Sequence, residues 1–130
     1  LWRNKAPKTA TEILAMSAVL RVSALNVDVC LASTSIQPYR LENGTAHFLV
    51  SDCDFDDVPG QLQDALAFLS DHAAEISQLM LNPNSVATLD FAREARREGF
   101  QYLAFPAVLV QLAGALGLGL EISLAPVQTP

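Results

Sequence analysis

Basic residues are scarce in this chain: 8 Lys and Arg stand against 14 Asp and Glu in 130 residues, a formal net charge of -6. A surface of that sign repels a phosphate backbone and an anionic bilayer, so nucleic acid and membrane are not expected partners. The one basic cluster, Arg93, Arg96 and Arg97, is interleaved with Glu94 and Glu98 and reads as a solvated mixed-charge surface. Cysteine is nearly absent. Cys30 and Cys53 stand in no CxxC or Cys/His spacing, which argues for two thiols packed as small apolar groups in a reducing cytoplasm. No GxSxG elbow, P-loop or GxGxxG occurs, and there is no repeat, low-complexity run or charged-then-apolar leader.

Charge is missing altogether between Phe100 and Leu120, a run about as long as a bilayer crossing. Pro106, Gly114, Gly117 and Gly119 divide it, and Leu120, Ile122 and Leu124 then alternate with Glu121 and Ser123. That pattern predicts a helix followed by a half-buried strand. Gly114–Gly119 follows a helix and precedes a strand, the reverse of a phosphate cradle, and Gly117 suits a left-handed helix end.

What the chain does contain is apolar pattern: 51% of its residues are hydrophobic. Leu62, Leu66, Leu69, Ala73, Ile76 and Met80 recur in steps of four and three and predict one long helix from Pro59 to Leu81. Gln61, Gln63, Asp64, Ser70, Asp71, Glu75, Ser77 and Gln78 would face water. Asp56, Asp57 and Pro59 supply its start, and Asn82-Pro83-Asn84 its end. Before it, Ser17–Ala24 alternates as a first strand, with Ala18, Leu20, Val22 and Ala24 on one face. Val27–Ser33 makes a short helix capped by Asn26. The Glu42-Asn43-Gly44 turn leads into a strand over Thr45–Val50.

After the long helix, Val86–Phe91 is a third strand, Arg93–Gly99 a connection, Phe105-Pro106 the opening of a last helix and Leu120–Leu124 a fourth strand. The expectation is one α+β domain over residues 13–125, with tails at 1–12 and 126–130. Its architecture is a two-layer sandwich whose four-stranded, mostly antiparallel or mixed sheet carries helices on one face, ferredoxin-like in first approximation.

Candidate chemistry gathers in three places. The loop holding Asp52, Asp54, Asp56 and Asp57 is oxygen-rich, as a hard cation requires, but an EF-hand needs Gly where Asp57 stands and Glu where Gln63 stands. Acids before a helix also cap it and complement its dipole, which is the simpler reading. His47 on the second strand could pair with a nearby carboxylate as a general acid or base; His72, beside Asp71, reads as a surface residue. Phe100, Tyr102 and Phe105 form an aromatic cluster that reads as core packing, with a pocket or interface as the alternative. No catalytic residue, metal ligand or cofactor site is assigned.

Val19-Leu-Arg-Val22, Val27-Asp-Val-Cys-Leu31, Ile36-Gln-Pro38, Phe48-Leu-Val50, the long helix and the closing Leu116-Gly-Leu-Gly-Leu-Glu-Ile-Ser-Leu124 appear in an order that resembles a family of small bacterial α/β proteins known only as a domain of unknown function. The likeness spans Ser17 to Leu124. It implies a fold and a bacterial origin, and brings no catalytic residues.

The leading expectation is therefore a non-enzymatic binding or protein-interaction domain, whose partner is a second copy of the chain or another protein. The aromatic cluster and an open sheet edge are the surfaces for it. The alternative is a small-molecule site or an enzyme of unfamiliar design, its pocket between the long helix and the sheet with Arg21, His47 and the acidic loop at the mouth. A third reading is an acidic protein that neutralises a basic partner such as a toxin.

Overall fold

The computed structural model describes residues 16–126. The expected tail at 1–12, Trp2 within it and residues 127–130 lie outside them. The described chain runs β1 (Ala18–Ser23), α1 (Val27–Leu31), β2 (Arg40–Glu42), β3 (Thr45–Ser51), α2 (Val58–Asp71), α3 (Ala73–Met80), β4 (Val86–Glu94), α4 (Ala107–Ala115) and β5 (Leu118–Ala125). The five strands form one sheet in the order β2-β3-β1-β4-β5. Its first three pairings are antiparallel and β4–β5 is parallel.

The α+β class and the mixed sheet agree with expectation; the strand count and the ferredoxin-like topology do not. The additional strand is β2, whose Glu42 joins Thr45 through a two-residue loop. Asn43 and Gly44 there have φ 53° and 77°, the mirror-image turn that matches strand twist, so the turn signal also implied a strand on its near side. The parallel pair follows from α4. A helix between β4 and β5 returns the chain to the end where β4 began, and β5 then runs alongside it.

Alternation decides which face is wet. Ala18, Leu20 and Val22 of β1, Ala46, Phe48 and Val50 of β3, and Ala87, Leu89 and Phe91 of β4 are buried in one cluster with residues of all four helices. Each Leu or Phe wholly removed from water there stabilises the fold by about 1.5–3 kcal/mol. Arg21, His47 and Thr88 point from the opposite face.

The expected long helix is two. α2 ends and α3 begins around His72, which has φ -116° and ψ 19°. Asp71 and His72 are weak helix formers, and the His72 ring is drawn against Phe68, with centroids 4.8 Å apart. The buried stripe is Gln61, Ala65, Phe68 and Leu69, then Ile76 and Leu79; Leu62 and Leu66 are only partly covered. Gln61, expected in water, is wholly buried because its Nε2 donates to the Asp54 carbonyl at 2.7 Å and folds the acidic loop onto the helix.

β4 reaches Glu94, so Arg93 and Glu94 belong to a strand rather than to a connection. Gly117 has φ 80°, the left-handed conformation its place after α4 requires. Cys30 and Cys53 form no disulfide. No helix among the described residues is long and apolar enough to cross a membrane.

Candidate functional site

Arg21 and His47 sit side by side on the open face of the sheet, paired across β1 and β3. Arg21 is occupied: its Nη2 lies 2.9 Å from Asp90 Oδ2 and also bonds Glu121. Ser123 Oγ contacts both Asp90 oxygens, at 2.9 and 2.8 Å. The carboxylate of Asp90, whose side chain is only 11% exposed, is thus fixed by one cation and one hydroxyl. His47 meets the Tyr39 ring at 6.0 Å. Burial, then the charges of Arg40 and Arg21, hold its imidazole below the ordinary value of 6.5, with the Glu42 carboxylate opposing them. No carboxylate lies within hydrogen-bonding distance of it among the described residues, and the expected acid–base pair is not assembled. A shallow depression of 320 Å³ lies over Arg21, Thr45, His47 and Thr88.

The acidic loop is elsewhere, beyond the Ser51 end of β3. Asp57 Oδ1 accepts the Gly60 amide at 3.0 Å and caps α2, while Asp54 gives its carbonyl to the Asp57 amide and to Gln61. Asp54, Asp56 and Asp57 are exposed and Asp52 is half-buried. No three His, Cys, Asp or Glu side chains converge as a metal would require among the described residues. The space between the helices and the sheet, the expected place for a pocket, is packed at its centre by Leu20, Phe48, Leu69, Ile76 and Leu89, all 1% exposed or less, and an open depression of 370 Å³ lies at its β3 side, lined by Ser35, Ile36, Phe48, Phe68 and His72. The structure therefore brings Arg21 and His47 together and leaves the acidic loop apart from both.

The surface with the least to hide it is β5. Among the described residues it has a partner on one side only, and after Leu118 nearly every residue is exposed, Ile122 at 42% and Leu124 at 59%. The other sheet edge, β2, is three residues long and carries the Arg40–Glu42 ion pair. Short length and charge are what keep an edge from pairing with a stranger. β5 has eight residues, one charge, no Lys, no Pro and no register shift against β4.

The Glu94–Leu103 segment builds a wall beside that edge. Gln101 Nε2 donates to the Glu94 carbonyl at 2.6 Å and its Oε1 accepts the Arg96 amide at 3.1 Å. Arg96 Nη1 donates to the Phe100 carbonyl at 2.8 Å. This lacing turns Phe100 and Tyr102 outward, 94% and 83% exposed, so the expected core cluster divides: Phe105 alone packs inward, its ring 5.2 Å from that of Phe91.

Between wall and strand lies a cleft of 200 Å³ lined by Arg93, Gln101, Tyr102, Leu103, Ile122 and Leu124. Arg93 Nη1 donates to the Phe55 carbonyl at 2.7 Å, its buried Nε has no partner, and it makes no ion pair among the described residues. The arrangement offers apolar area, a cation and a row of main-chain groups on one side of the molecule. The signal was present in sequence as the uncharged run through Leu120, but not its place at the sheet edge. Comparison of the chain with protein-family models, with curated proteins and with solved structures finds no match in any of the three.

Proposed function

We propose that this chain is a protein-interaction domain that docks its partner along β5 and the Tyr102 wall, without catalysing a reaction. The observation that carries this reading is the contrast between the two sheet edges: β2 is short and charged, while β5 is long, apolar and undefended. Exposed aliphatic and aromatic side chains next to free strand amides and carbonyls suit strand addition by a protein segment, in which main-chain bonds give affinity and alternate side chains give fit. The packed centre of the helix–sheet layer, with the depression at Phe48, Phe68 and His72 open to solvent, favours this reading over a buried small-molecule site.

A photo-cross-linking amino acid placed at Tyr102 tests it in cells of the source. The expected result is a discrete protein adduct that is lost when Leu124→Lys is added, and that does not form from the same probe at Leu81, an exposed position of comparable apolarity away from β5. Equal adducts from both positions, or adducts insensitive to Leu124→Lys, would contradict the reading.

A further inference from the structure

We propose that the partner on β5 is a second copy of this chain, joined antiparallel about a two-fold axis that passes through Ile122, so that two five-stranded sheets become one continuous sheet. This rests on β5 being the docking edge and names what docks there.

A two-fold contact must be complementary to itself: each residue of the strand meets the residue the axis assigns to it. Side chains on one face can pair only with the same face of the partner strand, which limits the choice to registers centred on a residue and excludes those centred between two. Centring on Ile122 sets Ile122 against the partner's Ile122 and Leu120 against the partner's Leu124, an unbroken aliphatic row on the helix side of the sheet. On the open side it sets Glu121 against the partner's Ser123 and Gly119 against the partner's Ala125.

The neighbouring registers are worse. Moving the axis one way brings the two Glu121 carboxylates directly opposite each other, an unfavourable like-charge pair. Moving it the other way sets Leu120, inside the strand, against the partner's Pro126, which has no amide to donate, whereas the register centred on Ile122 meets that proline at Leu118, the first residue of the strand.

Charge agrees with the same arrangement. Each molecule carries -6, which opposes association in general, but β5 contributes only Glu121, whose charge is offset in part by Arg21, shared with Asp90. Among the described residues the edge is thus a long stretch of sheet with a single charge, on which two acidic molecules can meet with little repulsion. A strand edge alone falls short of the roughly 800 Å² that each partner of a stable pair buries. Tyr102 and Phe100, standing out beside it, supply further area, and α4, which packs on β5, shows Val108 and Val110 to solvent.

The experiment combines sedimentation with cysteine cross-linking on the full chain carrying Cys30→Ser, since Cys53 is buried. The wild-type chain is expected to sediment as a dimer. Oxidation should join Ile122→Cys to itself, should join Leu120→Cys to Leu124→Cys when the two are mixed, and should leave Leu124→Cys alone unjoined. All three positions are at least partly exposed, so the substitutions leave the core intact.

A chain that remains monomeric at every concentration overturns the inference. If the probe at Tyr102 still yields its Leu124-sensitive adduct in cells, with a different protein, the docking reading survives that failure. A dimer that cross-links Leu124→Cys to itself, or none of these positions, overturns the two-fold pairing.

Discussion

Ile122 stands directly opposite Phe91 in the parallel register of β5 on β4, yet Phe91 is wholly buried and Ile122 is 42% exposed. One strand separates the middle of the core from its rim, and the two positions should respond to substitution very differently. Phe91→Ala is expected to destabilise the fold by about 3–5 kcal/mol, because it loses buried area and opens a cavity beside Phe105. Ile122→Ser should change the stability of the monomer by no more than about 0.5 kcal/mol, the range of ordinary surface changes. Urea unfolding at low protein concentration measures both. A large loss from Ile122→Ser would mean that β5 is covered within the single chain.

The ion cluster on the open face should behave as a unit. Arg21→Met leaves the nearly buried Asp90 with Ser123 alone, at an expected cost of about 1–3 kcal/mol. Most of that loss should disappear in an Asp90→Asn background, since no charge is then stranded. Equal losses in the two backgrounds, read by urea unfolding, would show that Arg21 acts through packing of its stem and not through Asp90.

Gly60→Ala tests the start of α2 in the opposite sense to helix propensity. Within a helix the change normally stabilises by up to about 1 kcal/mol. Here the added Cβ would stand 2.4 Å from Asp57 Oδ2 and 2.9 Å from the buried Cys53 sulfur, so it displaces the side chain that caps the helix. A net destabilisation of about 1–2 kcal/mol is expected, the worth of a lost cap. A higher melting temperature for Gly60→Ala would contradict the cap geometry.

His47 makes a pH prediction with a definite sign. Burial, Arg40 and Arg21 lower its proton affinity in the fold below the ordinary value of 6.5. The unfolded chain therefore takes up the proton first as pH falls. Stability should decline from just above pH 6.5 down to the folded value, and the loss is complete below that. His47→Gln should flatten this slope just below pH 6.5 while leaving the later acid transition, to which the lowered carboxylates of Glu42 and Glu75 contribute. An unchanged slope in His47→Gln would place its cause in other groups.

Periodicity identified most elements of this fold because the core is made by alternation in β1, β3 and β4, which local sequence records faithfully. It did not record neighbours. β2 is three residues with no buried side chain, so it carries no pattern of its own and exists because β3 offers it an edge. The helix break at His72 and the one-position shift of the α2 stripe both arise from contacts made only after folding, the Phe68–His72 ring pair and the Gln61 bond to the acidic loop.

The same limit governs the candidate site. Arg21 and His47 could be named from residue type, but only the register shows that Arg21 is committed to Asp90 and Glu121 and that Glu42, the carboxylate nearest in effect to His47, pairs with Arg40 instead. The apolar run ending in β5 was visible as composition. Its exposure is a property of strand order, which sequence pattern does not encode.

Amide hydrogen exchange, read residue by residue at low and at high protein concentration, tests the docking of β5 on a second copy most directly. The account expects the outward amides of Leu118–Ala125 to slow as concentration rises while those of the β2 edge, Arg40–Glu42, stay unchanged. Exchange along β5 that is as fast at high concentration as at low would contradict it.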